Sequence, residues 1–210
     1  MAVAVDNTEE MINYLLVRWK KSDSTERARM LKWLQEAEDN IWNAGDWWFA
    51  LAESYVTFAN ATATVAFATS ITRVCHIIDS SGNVLDQIPY GTFYSLYRNS
   101  ASTGTPQVWT VVSRASSGAI TIRLWPTPSS TVTTNVALCK TQQATLTDAS
   151  SSVSNVPREY RNAHLYYAQW NMALDEGQGE EAARWETRWK EKLSDIAAED
   201  KRQRGEAPFT

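Results

Sequence analysis

Hydrophobic residues recur along this chain at two different spacings, and the spacing changes twice. Near both ends, apolar residues recur every three or four positions, which is typical of helices with one buried face. In the middle, short runs rich in Val, Ile, Thr and aromatic residues alternate with polar ones, which is typical of strands with one buried face. The pattern therefore predicts helices at both ends and a β region between them.

The first helical region is predicted to contain two helices. Asp6 with Glu9 has the spacing of a capping box at the start of the first helix, and Asp23 with Glu26 repeats that spacing at the second. Gly45 is expected to end the second helix. Each helix has a single apolar stripe, so the two are expected to pack against each other or against a third element.

The strand-like runs in the middle are separated by three breaks of turn-forming residues: DSSGN at 79–83, RASSG at 114–118 and PTPSS at 126–130. The first and last breaks are predicted to join hairpins, and the last would pair the run AITIRLW with the run TVTTNVALC. The segment TFYSLYRNS at 92–100 predicts a helical turn inserted between strands.

Two more helices are predicted after a connector rich in Ser and Thr. Pro157 is expected to open the first of them, because a missing N–H costs nothing at that position, and Leu174 is its last apolar position. The turn DEGQGEE at 175–181 reverses the chain, and the last helix has Trp185 and Trp189 on its apolar stripe. The predicted parts are an N-terminal helical part at 1–53, a β-domain at 54–140, a connector at 141–156, a C-terminal helical hairpin at 157–204 and a tail at 205–210.

Composition narrows the functions that the chain can have. The 210 residues include 20 Lys and Arg against 24 Asp and Glu, a formal charge of −4, which lacks the basic excess that grips DNA phosphates. Only eight residues between 54 and 156 are charged, so part of the predicted sheet is expected to be covered by a partner. The ten Trp fit either a core or an extensive subunit interface.

The cysteines and the N-terminal residues predict the compartment in which the protein is found. Cys75 and Cys139 both fall in strand-like runs without a CxxC partner, so buried thiols are favoured over a disulfide or a metal site. The first residues lack the basic start of a signal peptide, and no later run reaches transmembrane length. The cytoplasm is therefore the expected compartment.

No residue pattern predicts a reaction. His76 and His164 are the only histidines, and neither belongs to a nucleophile motif. The chain contains no glycine-rich phosphate loop, HExxH motif or Asp-rich calcium loop, so no catalytic, cofactor or metal site is predicted and the protein is not expected to be an enzyme. Trp47, Trp48 and Phe49 could form a stacking platform for a ligand, but a hydrophobic plug where the second helix meets the sheet is favoured.

The order of the elements resembles a known family. Gly104-Thr105-Pro106 precedes a strand that holds Trp109, and Leu124-Trp125-Pro126-Thr127-Pro128 follows the next strand. Pro157-Arg158-Glu159-Tyr160 then opens a helix that ends at Gly177. In this order and spacing, the motifs resemble the head-to-tail adaptor proteins of tailed bacteriophages, the ring-forming head-completion or tail tubular proteins beneath the portal.

The resemblance implies a fold and a set of partners. The fold would be α+β, with a single bundle formed by the N- and C-terminal helices and a central antiparallel β-barrel or sandwich. The function would be structural: a dodecameric ring in the neck of the virion, made in the host cytoplasm, between the portal and a tail or nozzle protein. Genomic DNA would pass through its lumen without sequence-specific binding, helped by the negative charge of the chain. No membrane and no cofactor would be involved.

Two sets of residues are candidates for assembly contacts. The C-terminal segment after Ile196 is expected to order when it docks on the portal. Its candidate docking residues are Lys201, Arg202, Arg204, Pro208 and Phe209, and the candidate subunit contacts are Trp109 and Trp125.

Two other functions stay open at this stage. The chain could be a ligand- or carbohydrate-binding β-domain with helical decoration, in which exposed Trp47, Trp109 or Trp125 stacks on sugars. It could also be a hydrolase with an unrecognised site; against this, changing His76 and His164 to Ala is expected to leave function intact apart from any loss of stability. Oligomerisation with a portal would favour the adaptor, and a melting temperature raised by a sugar would favour the binding module.

Overall fold

A computed structural model of the chain describes residues 6–205. Within this range the helices follow the predicted order, with short 3-10 turns at Trp48–Ala50 and Arg158–Tyr160. The α-helices are α1 (Thr8–Trp19), α2 (Ser24–Ala44), α3 (Tyr90–Tyr97), α4 (Asn162–Asp175) and α5 (Gly179–Gln203). The helical turn predicted at 92–100 is thus the two-turn helix α3.

One of the two predicted capping boxes is shifted by a residue. Asn7, rather than Asp6, caps α1, and its side-chain oxygen accepts a hydrogen bond from the backbone N–H of Glu10 at 2.9 Å. The Glu10 carboxylate in turn accepts from the Asp6 N–H at 2.7 Å. At α2 the prediction is confirmed: Asp23 accepts from the Glu26 N–H at 2.8 Å, and the helix ends where Gly45 takes extended backbone angles.

The chain divides into two compact units. Residues 1–50 and 143–210 form one, called here the helical unit, and Leu51–Gln142 form the other, the β unit. In the helical unit, α1, α2 and α4 share a core that includes Ile12, Leu15 and Leu34. The apolar stripes of α1 and α2 are therefore buried against a third helix as well as against each other.

The buried apolar face predicted for α5 is confirmed, whereas the face predicted for α4 is wrong at one position. Trp185 and Trp189 are buried, as expected. Leu174, by contrast, is 52% exposed, because the buried face of α4 runs through Leu165, Ala168 and Met172. Hydrophobicity alone misplaced this face, since the buried positions of α4 also include a histidine and a glutamine.

The aromatic sequence after α2 forms a plug inside the helical unit. Trp47 is 7% exposed and donates from its indole N–H to the carbonyl of Ile41 at 2.5 Å. Trp48 and Phe49 meet edge to face at 4.9 Å, and Trp48 also contacts the ring of Tyr160. The cluster they join contains residues of α2, α4 and α5, so these rings pack among helices.

The β unit contains open sheets rather than a closed barrel. Its described strands are β1 (Leu51–Phe58), β2 (Thr64–Ala66), β3 (Ile71–Ile78), β4 (Asp86–Gln87), β5 (Thr103–Gly104), β6 (Val108–Arg114), β7 (Ile120–Trp125), β8 (Thr127–Pro128) and β9 (Val132–Thr141). One sheet has the order β1-β9-β3, the second β2-β7-β6-β4, and β5 pairs with β8. The α+β class with a sandwich-like β part is therefore confirmed. Two short pairs, β4–β6 and β5–β8, are parallel, whereas only antiparallel pairing was predicted.

Of the two hairpin turns predicted, one forms a short hairpin and the other is wrong. The RASSG break at 114–118 joins β6 to β7, which pair along their length. The PTPSS break at 126–130 joins no hairpin, because β7 and β9 belong to different sheets. The DSSGN break at 79–83 does turn the chain back on itself. Ile78 forms an antiparallel bridge with Val84, and the N–H of Leu85 donates to the carbonyl of Ile77 at 2.8 Å, while β3 otherwise pairs with β9.

The core of the β unit lies between the two larger sheets. Ile120, Ile122 and Leu124 of β7 are at most 2% exposed, which confirms the predicted alternation along this strand. They pack with Val74 and Ile77 of β3 and with other apolar residues in one cluster. Burial of this face is what holds the two open sheets together.

Candidate interaction surfaces

A buried polar cluster in the helical unit was missed by the sequence analysis. His164 of α4, Glu38 of α2 and Ser154 of the connector lie together, each at most 3% exposed. His164 Nε2 lies 2.6 Å from Glu38 Oε2, and the Ser154 hydroxyl donates to the same oxygen at 2.6 Å. His164 Nδ1 lies 3.2 Å from the carbonyl oxygen of Arg161. Glu38 stands next to the apolar positions Ala37 and Ile41, and a carboxylate on that stripe was the available signal.

The geometry of this cluster favours stability rather than hydrolysis. A nucleophilic serine gives its proton to the histidine, but here the hydroxyl of Ser154 donates to the carboxylate and lies 3.5 Å from His164 Nε2. Burial alone would raise the pKa of Glu38, but the hydrogen bond and charge of His164 and the hydroxyl of Ser154 outweigh it and lower that pKa below its usual value. The carboxylate is therefore held ionised inside the bundle.

The remaining candidates for chemistry lie apart from this cluster. His76 is exposed on β3. Cys139 is buried, and burial, with a smaller effect of Cys75, raises the pKa of its thiol to about 11. Neither cysteine forms a disulfide with the other. Among residues 6–205, His, Cys, Asp and Glu form no group that could hold a metal ion.

The two tryptophans predicted as subunit contacts have opposite environments. Trp109 on β6 is fully buried in the core of the β unit. Trp125 at the end of β7 lies on the other face and is half-buried. Its ring stacks on Tyr97 of α3 with centroids 4.1 Å apart, and its indole N–H donates to the Ser100 hydroxyl at 3.0 Å. Trp125 therefore has surface to offer a neighbouring subunit, whereas Trp109 has none in this state.

Next to Trp125, helix α3 exposes large apolar side chains that the sequence analysis did not single out. Tyr90 is 50%, Tyr94 38% and Leu96 60% exposed, and the rings of Tyr90 and Tyr94 stack with centroids 5.5 Å apart. Arg98 lies over Tyr94, 5.4 Å from the ring centroid. These residues and Trp125 are called the α3 surface below. Its composition of aromatic residues and one arginine is typical of the centres of protein interfaces.

The basic residues predicted to dock on the portal begin within helix α5 rather than in a free tail. Lys201 and Arg202 are in its last turn, and Arg202 pairs with Glu199. Arg204 follows the helix and contacts Asp200 at 2.9 Å. Much of the charge here is thus compensated locally, and Lys201 is exposed. Pro208 and Phe209 lie outside the described residues.

Comparison with known proteins identifies the family of the chain that carries these surfaces. Residues 7–210 match the family described as SU10 adaptor protein. The chain belongs to the SU10 adaptor protein family. The match covers nearly the whole sequence, and it confirms the resemblance to the head-to-tail adaptors of phages. No curated protein shows significant sequence similarity to the chain.

Membership gives the adaptor a structural role. The family consists of phage adaptors, which are components of the virion and not a class of enzymes. For such a protein the relevant sites are contact surfaces, and the α3 surface and the end of α5 are the candidates on the two units. In the part of the chain that the structure describes, no helix combines the length and apolar character needed to cross a membrane.

Proposed function

We propose that this adaptor forms a ring, of twelve copies, between the portal and the tail in the virion neck. The observation that carries the proposal is the family match over residues 7–210. On this proposal, one rim of the ring docks on the portal, the other receives the tail or nozzle protein, and the genome passes through the lumen. The net charge of −4 supports passage without trapping, because like charges repel DNA phosphates.

The α3 surface is the proposed contact between subunits on the β unit. Its exposed rings of Tyr90 and Tyr94 and the half-buried Trp125 supply apolar area with few charges, which is what a subunit interface buries at its centre. Leu96 extends this surface along α3, and Arg98 adds the charged residue type most often found at interface hot spots. The predicted role of Trp109 is not carried forward, because its side chain has no exposed surface.

The proposed portal contact is the segment that begins at Lys201. Lys201 is free to meet an acidic partner, whereas Arg202 and Arg204 would have to exchange Glu199 and Asp200 for residues of the portal. Both carboxylates are largely buried, at 12% and 14% exposed, so the exchange requires portal groups that leave neither of them without a partner. Pro208 and Phe209 would add apolar anchors to this contact.

The ring is tested with the purified adaptor and the portal from the same phage. The adaptor alone and its mixture with the portal would be measured by light scattering and imaged by electron microscopy. A ring of twelve copies adds about 280 kDa, twelve times the 23.6 kDa chain, to the mass of the portal. An adaptor that neither forms rings nor binds its portal would refute the proposal.

Two variants separate the contacts. Replacing Leu96 with Asp should prevent lateral contact while leaving the fold intact, because the side chain is exposed, and Val84→Asp is a matched control at an equally exposed apolar residue. Deleting 206–210, and separately 201–210, should progressively weaken assembly on the portal. Unchanged assembly of both truncated chains would remove this segment from the mechanism.

The carbohydrate-binding alternative lacks a suitable platform among the named tryptophans. Stacking on a sugar needs an open aromatic face, but Trp47 and Trp109 are buried, and Tyr97 covers one face of Trp125. The hydrolase alternative is disfavoured by the family and by the arrangement at His164.

A further inference from the structure

A cavity of about 310 Å³ opens in the helical unit beside α1, α4 and α5. None of the contacts proposed above uses it. Its wall includes Tyr14 and Arg18 of α1, Gln169 of α4, and Arg184, Trp185 and Arg188 of α5. Such a volume is at the lower end of the range of protein pockets that hold small ligands or short peptide segments.

The cavity carries uncompensated positive charge. Arg18 pairs with Glu181 at 3.3 Å, and Arg184 approaches the same carboxylate at 3.9 Å. Within the described residues, no carboxylate lies within ion-pair distance of Arg188. Three guanidinium groups therefore share one carboxylate, and at least two positive charges remain to attract an anion.

Trp185 holds two of these arginines at the cavity. The guanidinium carbons of Arg18 and Arg188 lie 4.9 Å and 4.7 Å from its ring centroid, within the range of cation–π contacts. The indole N–H of Trp185 donates to Glu181 at 2.9 Å, which fixes the ring. This arrangement reduces the freedom of two long side chains before any ligand arrives, and so lowers the entropic cost of binding.

A buried acceptor in the wall has no partner. Gln169 is 1% exposed, and its amide nitrogen donates to the Leu165 carbonyl at 3.1 Å. Its Oε1 atom is buried without a hydrogen-bond partner. An unpaired buried acceptor is costly, so its presence beside a cavity indicates that an N–H or O–H donor occupies that cavity in the working state.

We infer that this cavity binds an acidic peptide segment of a protein partner. A side-chain carboxylate of that segment pairs with Arg188 and Arg184, whose planar guanidinium groups match a carboxylate in two parallel hydrogen bonds. A backbone N–H of the same segment donates to Gln169 Oε1. Duplex DNA fits less well, because the phosphodiester backbone presents acceptors only and leaves Gln169 unsatisfied. The inference goes beyond the ring proposed above and does not depend on it.

The test measures peptide binding to the full chain in solution. The probe is the blocked peptide acetyl-Gly-Glu-Glu-Gly-amide, its neutral twin has Gln at both positions, and the readout is the indole N–H resonance of Trp185, assigned with Trp185→Phe. Saturable shifts with the acidic peptide, and at least about tenfold weaker binding of the neutral twin, are expected from the loss of charge-assisted hydrogen bonds. Equal binding of the twins, or no saturable shift, overturns the proposal.

Three variants locate the binding. Arg188→Ala should weaken the acidic peptide about tenfold, whereas Lys190→Ala, on the same helix but paired with Glu186, should leave binding within about twofold. Gln169→Leu should weaken binding and raise the melting temperature, because it removes an unsatisfied buried acceptor. If this variant binds like the wild type, Gln169 has no part in recognition and the proposal fails.

The same resonance distinguishes the other occupants. Inorganic phosphate and a twelve-base-pair DNA duplex would be titrated under the same conditions. Tighter binding of either than of the acidic peptide would replace the peptide with a phosphate ligand. These measurements need no portal, so peptide binding can fail while ring assembly succeeds. Ring assembly can likewise fail while the peptide binds.

Discussion

Replacing Glu38 with Leu is expected to be among the most destabilising single changes in the helical unit. The substitution keeps a side chain of similar volume but removes the acceptor shared by His164 and Ser154. Both groups are almost fully buried, so water cannot replace the lost carboxylate.

The expected size follows from the geometry. Each buried hydrogen-bonding group left without a partner costs about 1–3 kcal/mol, and Glu38→Leu leaves two such groups, His164 and Ser154. The 2.6 Å distances to His164 and Ser154 place this cluster at the strong end of hydrogen bonding. The double variant Glu38→Leu/His164→Leu also removes the histidine left without its partner and should recover at least about 1 kcal/mol of the loss.

The assay is urea unfolding followed by Trp fluorescence. Eight of the ten Trp lie in the helical unit, so the signal reports mainly the unit that contains Glu38. Glu36→Leu is the matched control on the same helix: its carboxylate pairs with Lys32 at 3.6 Å at the surface, and its loss should change stability by less than about 0.5 kcal/mol. A loss of less than about 1 kcal/mol for Glu38→Leu, or one equal to the control, would refute this reasoning.

The same cluster predicts a dependence on pH. Because the pKa of Glu38 is lowered in the folded state, ionised Glu38 contributes stability above the ordinary glutamate pKa of about 4.3. That contribution is lost as the pH falls through the lower folded value. The difference in unfolding free energy between the wild type and Glu38→Leu should therefore shrink as the pH falls from about 5 to about 3. A difference that stays constant over this range would contradict the role given to ionised Glu38.

Three further predictions concern other parts of the chain. Trp109→Ala should lower the free energy of unfolding by about 3–5 kcal/mol, because it empties a fully buried site. Trp109→Phe should lower it much less, because the indole N–H that it removes has no partner among the described residues. Equal losses for the two variants would argue against this packing. Asp23→Ala should cost about 1 kcal/mol by removing the cap of α2, and Asp23→Asn should not, as measured by thermal unfolding. Iodoacetamide at about pH 8 should label Cys139 only after unfolding. A thiol with a pKa of about 11 is only about one part in a thousand thiolate at that pH, and the thiolate is the form that reacts. Rapid labelling of Cys139 in the native chain would contradict this prediction.

Helical packing was largely predictable because its signal is local. The stripe of α1 through Ile12 and Leu15, and that of α5 through Trp185 and Trp189, can be recognised within a few turns of sequence. Leu174 was misplaced because the buried face of α4 contains His164 and Gln169, whose partners are not visible in sequence.

Strand pairing was less predictable because it depends on distant segments. The break at 126–130 looked like a hairpin turn, yet it contains β8, which pairs with β5, and it leads the chain from one sheet to the other. A turn-forming composition shows where a strand ends but not which strand comes next to it.

The polar cluster at Glu38 could not have been assembled from sequence. Its partners Ser154 and His164 are 116 and 126 residues away, and a single carboxylate on a helix normally belongs to the solvated face. The cavity at Gln169 was missed for the same reason, since its walls come from both ends of the chain. The family could be predicted, unlike the polar cluster and the cavity, because the resemblance rests on the order of several motifs along the chain.

The pairing of β1 with β9 sets an order of events on the ribosome. Leu51 pairs with Lys140, so the first and last strands of the β unit close on each other, and the unit can form as soon as its own residues have emerged. Helices α1 and α2 emerge earlier but must wait for α4 and α5. At about 5–20 residues per second, the stretch of about 120 residues between α2 and α4 takes on the order of 6–24 s to make. Through that interval the apolar stripes of α1 and α2 lack their final partners, so the surface that α4 and α5 will later cover stays open to other chains or to a chaperone.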